Sequence, residues 1–451
     1  MSNPGDTDET AIGSVQQLAD HIAAGCKPRA SWRIGTEHEK FGFALADRRP
    51  PAYEPGGIRA LLDGMQAPGR WEPILERGQP IGLKGRGEAA GASVSLEPAG
   101  QLELSGAPVG TLHETAAELA AHFAEVRLVA ERLGLGFAPL GYHPTMRRDE
   151  MPWMPKGRYA IMRRYMPKVG AFGLDMMTRT CTVQVNLDYA SETEMVRKLR
   201  VGLAFQPVAT ALFANSPFIE GKPSGLLSSR ARVWTDTDND RSGMPGFMFE
   251  PGFGFERYVE WLLDVPMYFV LRDGSYEDMT GRSFRAFMAE GAATLGDFAD
   301  HMTTVFTDVR LKQFLEMRGA DAGRAAMMVA QSAFWTGLLY DDAALLAAER
   351  RMLEHSAADY LALRAAVPAQ ALDAPFGSGT VRSLARDLVV IAGEGLSARS
   401  CRDKNGDDER KYLTPLLPLI EGGPTQAEMW LTRYQNEWAG DASQMLVDGA
   451  I

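Results

Sequence analysis

Two hydrophobic periods organise the chain. Where apolar residues recur every three to four positions, helices are expected: over 15–24, stopped by Gly25, and over 111–133, with Thr111 and Glu114 as a capping box and Gly134 as the stop. The same period predicts helices from Ser191, capped with Glu194, to about Phe213, over 255–263 and 283–290, and through most of the chain after Arg324. Where apolar and polar residues alternate, strands are expected: 32–45, dense in aromatics, 180–188 and 314–318. The short runs 93–97 and 101–105 flank Pro98-Ala99-Gly100 and form a hairpin signal. Residues 50–91 and 215–255, rich in Gly, Pro and Asp, read as loops, and the second is too long for a plain connection. Residues 151–168, basic, rich in Met and broken by Pro, read as an ordered loop with a short helix inside it. Residues 1–14 read as a disordered lead, and 15–451 as one α+β domain with a helical C-terminal part.

The strand period also sorts the polar side chains. Glu37 and Glu39 share a face of their strand, and His38 points the other way, into the core. Glu97 ends one hairpin strand, and Gln101 and Glu103 share a face of the other, opposite Leu102 and Leu104. Cys181, Val183, Val185 and Leu187 form an apolar face whose reverse carries Thr182, Gln184, Asn186 and Asp188. Glu316 and Arg318 again face together. Any one of these strands is an ordinary half-solvated sheet element. Together they present acids and amides with almost no Lys or Ser, and crowded carboxylates repel unless a cation sits among them. Hard oxygen donors suit Mg²⁺ or Mn²⁺, and the lack of Cys/His pairs argues against zinc. Such ions hold nucleotide phosphates and offset charge during phosphoryl transfer.

Composition narrows the choice. Lys+Arg 47 against Asp+Glu 58 give a formal charge of −11, which argues against a non-specific nucleic-acid binder. No run approaches the ~18 apolar residues of a membrane span. The first 14 residues are polar and acidic, unlike a signal or transit peptide. Cys26, Cys181 and Cys401 are too few and too scattered for a disulfide framework. These features predict a cytoplasmic enzyme with no nucleic-acid or membrane partner. No phosphate-binding glycine loop is present, since Gly221-Lys222 runs into Pro223, and Gly85-Arg86-Gly87 lacks the strand-then-helix context of a dinucleotide site. Asp236 to Asp240 imitates a calcium loop, but Arg241 stands where Gly is required and Phe247 where Glu is required.

The run from Trp32 to Phe43, with Glu37-His38-Glu39-Lys40-Phe41-Gly42, resembles the signature strand of plant and proteobacterial glutamate–cysteine ligases. The resemblance continues through Ser95 to Ser105, Met154 to Tyr159, Met176 to Asn186, Phe213 to Pro217, Trp234 to Asp238 and Leu315 to Asp321, in the family's order. It implies a glutamine-synthetase-like fold, a curved and largely antiparallel sheet forming a funnel with helices outside. It implies that ATP, L-glutamate and L-cysteine give γ-glutamylcysteine, ADP and phosphate through a γ-glutamyl phosphate, the first step of glutathione synthesis. A related carboxylate–amine ligase with another amine acceptor is the alternative. The family's metal ligands fall on Glu37, Glu39, Glu97, Glu103, Gln184 and Glu316. Arg318, with Glu39, stands at the chemistry and contacts phosphate. Arg230 and Trp234 belong to the amino-acid site, Arg158 and Lys168 are further ATP candidates, and the protein is expected to be a monomer or weak homodimer. The resemblance also implies a departure. Plant members are switched by a disulfide whose two positions are occupied here by Ala116 and Val329, so activity is expected not to depend on an internal disulfide.

Overall fold

The computed structural model, which describes residues 8–451, is organised around strand β1 (Ile34–Ala44). Its Ile, Thr and Phe residues suit an extended, fully covered backbone, and all but Glu39 and Ala44 are buried. After it come β2 (Trp71–Glu76), β3 (Gln79–Gly85), β4 (Ser93–Leu96), β5 (Leu102–Ser105), β6 (Leu135–Ala138) and β7 (Thr182–Leu187). Two late strands, Val309–Leu311 and Leu315–Asp321, complete one nine-stranded sheet.

From one edge the order is Val309–Leu311, Leu315–Asp321, β7, β1, β5, β4, β3, β2, and β6 pairs with the far half of β1. Every pairing in it is antiparallel. The sheet is open, with β2 and Val309–Leu311 at its edges. The α+β, antiparallel architecture expected from the resemblance is thus what the chain adopts.

Register places the polar faces side by side. Glu39 sits opposite Glu103 across β1 and β5, and Glu37 sits opposite Gln184 across β1 and β7. The reverse face packs Ile34, Val183, Val185, Leu187, Leu315 and Met317, each at most 1% exposed, against helices including Glu192–Leu212 and Ala325–Leu339. Each such side chain contributes roughly 1.5–3 kcal/mol of burial. That is what holds the acidic face flat against its own repulsion. A bulge between Met317 and Ala320 keeps Ala320 in the apolar layer while Arg318 stays on the polar one.

Three readings need correction. The stretch 50–91 is not a loop but holds the helix Ile58–Gln66 and the β2–β3 hairpin. Its glycines serve close packing and turning. A Cβ on Gly64 would stand 2.5 Å from Val129 Cγ1, and Arg77 and Gly78 take φ 48° and 78° in the hairpin turn. Residues 151–168 are mostly helical, Gly157–Val169. Residues 1–7 of the expected lead lie outside the described residues. Residues 8–12 are paired with 293–296, through Ile12 N to Ala293 O (3.1 Å) and Leu295 N to Thr10 O (2.9 Å). No helix among the described residues is long and apolar enough to cross a membrane.

Candidate active site

The polar face of the sheet forms the floor of a cavity of about 130 Å³. Glu37, Glu39, Glu97 and Glu103 line it together with Gln184, and Arg158, Arg230, Arg310 and Arg318 approach it from other elements. Met162, Met176, Trp234, Phe269 and Phe306 supply apolar wall. Seven segments spread along the sequence therefore converge on one space.

The acidic part rests on β1 and the β4–β5 turn. Gly100, at φ 84°, closes that turn beside Glu97, and Gln101 ties it down by donating to Met177 O (3.1 Å) and Thr180 O (3.2 Å). Gln101 is therefore structural. Glu39 Oε2 accepts from Thr182 N at 2.7 Å, and Glu103 accepts from Ser95 Oγ at 2.8 Å and Ser105 Oγ at 3.3 Å. Burial, then the neighbouring charges of Glu97 and Glu103, hold the Glu39 carboxyl well above the usual carboxylate range. Burial likewise raises Glu37, whose Oε1 accepts from Asn186 Nδ2 at 2.6 Å while Oε2 is buried without a hydrogen-bond partner.

The basic part is built by the last hairpin. Glu316 is fully buried and does not reach the cavity wall. Arg310 Nε (2.5 Å), Lys312 Nζ (2.7 Å) and Arg318 Nη1 (3.2 Å) surround it. Burial opposes its ionisation, but Arg310, Lys312 and Arg318 win and hold it well below the usual carboxylate range. Arg318 also donates to Gln184 Oε1 at 2.7 Å. Burial and the charge of Arg310 bring Arg318 down to about 10, so it remains a cation at neutral pH.

The third part is the short helix Ser229–Val233, capped by Ser228 Oγ, which accepts from Ala231 N at 3.1 Å. It carries Arg230, 3% exposed, into the cavity, where Nη2 donates to Arg318 O at 2.9 Å. Among the described residues Arg230 has no carboxylate within ion-pair distance. A buried guanidinium so placed can receive an anion from outside the protein. Trp234 lies beside it, its ring centroid 6.0 Å from Arg230 Cζ and its Nε1 buried without a partner.

Most expected residues thus meet in one place, and three stand differently than expected. Lys168 is exposed at the far end of its helix and does not line the cavity, because the helical turn that aims Arg158 and Met162 inward aims Lys168 outward. Lys168→Ala should leave kcat and both KM values within about twofold, as an exposed substitution away from the site does. A larger change in the KM for ATP would return it to the site. Glu316, expected among the metal ligands, is already neutralised by three cations. Gln184, expected beside it, has its acceptor oxygen engaged by Arg318.

Arg310 and Lys312 were not anticipated. Their signal was present, since Val309-Arg310-Leu311-Lys312 alternates and puts both cations on one face, the face that Glu316 shares across the hairpin. Phe269 and Phe306 had no such signal, because only the chain's path brings them to the cavity. His38 faces away from the cavity as expected, with Nδ1 3.2 Å from Lys40 Nζ in the helix-side layer.

For a divalent ion, the donor chemistry of Glu39, Glu97 and Glu103 fits. All are hard oxygens, Glu39 and Glu103 are direct cross-strand neighbours, and Glu39 is raised first by burial and then by the charges of Glu97 and Glu103, which a cation would offset. As they stand, no three His, Cys, Asp or Glu side chains among the described residues converge to coordination distance, so closing on an ion requires rotamer changes.

The sequence model of glutamate-cysteine ligase family 2 (GCS2) matches residues 33–448. The chain belongs to this family. Within it, the chain is 49% identical over 430 residues to the chloroplastic glutamate–cysteine ligase of Brassica juncea, covering 94% of this chain and 81% of that one. It is 50% identical to chloroplastic glutamate–cysteine ligase B of Oryza sativa subsp. japonica, covering 94% and 84%. In fold it is similar to a Francisella tularensis glutamate–cysteine ligase solved with AMP, at TM-score 0.56 and 10% identity over 93% of this chain and 87% of that one. The fold is accordingly of the glutamine-synthetase-like ligase type. These family relatives overturn the cytoplasmic expectation, since both are chloroplastic enzymes. Acidic charge and unbridged thiols describe any aqueous, reducing compartment and do not single out the cytosol. The cysteines stand unbonded, with Cys181 buried and Cys26 and Cys401 half-buried.

Proposed function

We propose that the cavity joins the side-chain carboxylate of L-glutamate to the amine of L-cysteine with ATP, through a γ-glutamyl phosphate, giving γ-glutamylcysteine, ADP and phosphate. Family membership supports the reaction. The observation that carries the assignment of residues is that one cavity sets a carboxylate cluster against buried guanidinium groups, one of them, Arg230, without a carboxylate of its own.

A carboxylate is a poor acyl donor, so its activation brings several anions together: the glutamate, the nucleotide phosphates and the protein's own acids. Arg230 holds a carboxylate of the amino acid in bidentate fashion, with Trp234 as the apolar side of that pocket. Arg318 faces the transferring phosphoryl group, and Glu316 with Gln184 fixes the guanidinium's direction. Arg158, which lines the cavity with its Nε buried without a hydrogen-bond partner, meets the nucleotide phosphates. Met162, Met176, Phe269 and Phe306 exclude water, which would otherwise hydrolyse the acyl phosphate. Glu39, Glu97 and Glu103 would hold Mg²⁺, or Mn²⁺, and Glu37 stands next to them. A bound ion supplies charge neutralisation for phosphate and carboxylate oxygens.

The test is ADP release with Mg²⁺ across a panel of acids and amines. Turnover should require glutamate and cysteine together and stop with EDTA. Equal rates with aspartate for glutamate, or with EDTA present, would overturn the proposal, and faster turnover with another amine would reassign the acceptor. Arg230→Ala should raise the KM for glutamate roughly 10- to 100-fold with little change in kcat, a charge-assisted hydrogen bond contributing about 1.5–3 kcal/mol.

A further inference from the structure

Asp321 ends the last sheet strand, is 1% exposed and does not line the cavity, yet it is tied to the segment that does. Its Oδ2 accepts from Asn215 N at 2.9 Å and Ser216 Oγ at 2.6 Å, and its Oδ1 accepts from Ser228 Oγ at 2.9 Å. Each hydroxyl passes the connection on. Ser216 Oγ accepts from Arg230 N at 3.2 Å, and Ser228 Oγ caps the helix that carries Arg230. Ser229 N donates to Ser216 O at 3.0 Å, so the two serine segments also lock to each other. The backbone of Gly141 closes the last side of the carboxylate, where an added Cβ would lie 2.3 Å from Asp321 Cγ.

We infer that Asp321 is a positioning residue that sets the place of Arg230 through Ser216 and Ser228, and so fixes the affinity for the amino-acid carboxylate. This rests on the proposed role of Arg230. The physical reason is acceptor count. A carboxylate is the only side chain of this size that accepts from three donors converging from two segments, whereas an amide presents a donor where one of the hydroxyls already donates. The site's two cationic poles also differ in what holds them. Arg318 is steered by Gln184 on the neighbouring strand and Glu316 on its own, but Arg230 sits on a five-residue helix in a stretch of irregular chain, and its position depends on this buried node. Burial of the node in low dielectric makes a half-satisfied version costly, so displacement of the helix relieves a mismatch there.

The test uses the full-length protein. Asp321→Asn should raise the KM for glutamate at least tenfold while kcat stays within about threefold and the KM for ATP within twofold. Ser216→Ala and Ser228→Ala, milder changes that keep the carboxylate, should each raise the glutamate KM severalfold. In the double variant with Arg230→Ala, Asp321→Asn should add almost nothing to the effect of Arg230→Ala, because both act through one contact. If Asp321→Asn does not fold, the serine variants decide. An unchanged glutamate KM in folded Asp321 and serine variants, with Arg230→Ala still raising it, overturns this inference alone. A uniform loss in kcat and all KM values, additive with Arg230→Ala, also overturns it in favour of a merely structural role. An unchanged glutamate KM in Arg230→Ala overturns the role of Arg230 and this inference with it.

Discussion

Replacing Glu39 by Gln is expected to lower kcat by roughly a hundredfold or more while making the ligand-free protein more heat-stable. The activity loss follows from removing one of the oxygens proposed to hold the ion, at a site where preorganised charge is typically worth about 10²- to 10³-fold. The gain in stability follows from the same crowding. The folded state raises the Glu39 carboxyl, chiefly by burial and then through Glu97 and Glu103. A raised acid favours the fold fully only below its unfolded value, and that favour is lost as pH rises through the folded value. At neutral pH the wild type therefore bears a penalty that Gln does not, and the gap in Tm should widen with rising pH. The amide oxygen still accepts from Thr182 N, so the local backbone has no reason to move. Steady-state ADP release, with melting curves at two pH values with and without Mg²⁺, checks all of this. The wild type should gain Tm from Mg²⁺ and Glu39→Gln should gain less. Near-normal turnover at saturating Mg²⁺, or a lower Tm in the variant, would show that Glu39 does not belong to a strained cation site.

Arg318→Ala should cost a comparable ~10²- to 10³-fold in kcat, since the guanidinium faces the group whose charge changes most during transfer. Arg318→Lys should fall between, as it keeps a charge but loses the planar guanidinium whose Nη1 donates to both Gln184 and Glu316. The fold should survive both changes because Glu316 keeps Arg310 and Lys312 as partners. Arg318 loses its proton only near about 10, whereas the same burial and the charge of Arg310 would lower a lysine from a lower starting value, so the pH–rate profile of Arg318→Lys should fall off at a lower pH than that of the wild type. A kcat within threefold of wild type in Arg318→Ala would remove Arg318 from the reacting centre and leave it a structural partner of Glu316.

How much of this was open to sequence reasoning depends on the range of the interaction. Period two is a local property, so the shared face of Glu37 and Glu39, that of Glu316 and Arg318, and the inward turn of His38 could all be read from alternation. The helix cap at Thr111 and Glu114 is equally local, and both of its hydrogen bonds form. The segment 50–91 misled because Gly and Pro report a need for turning or close approach without saying which. There Gly64 serves a helix against Val129, and Gly78 serves a hairpin.

What tertiary structure alone decided is which charges meet. Sequence placed six candidate ligands in a single class, but the fold divides them. It crowds Glu39 against Glu97 and Glu103, where a cation is needed, and buries Glu316 among Arg310, Lys312 and Arg318, where one is already supplied. It turns Lys168 out to solvent and brings Asp321 under a helix 91 positions earlier in the chain, at Arg230. The reason is physical. Alternation tells a side chain which face of its strand it occupies, but a charge is governed by every neighbour within a few ångströms, and strand order chooses those neighbours.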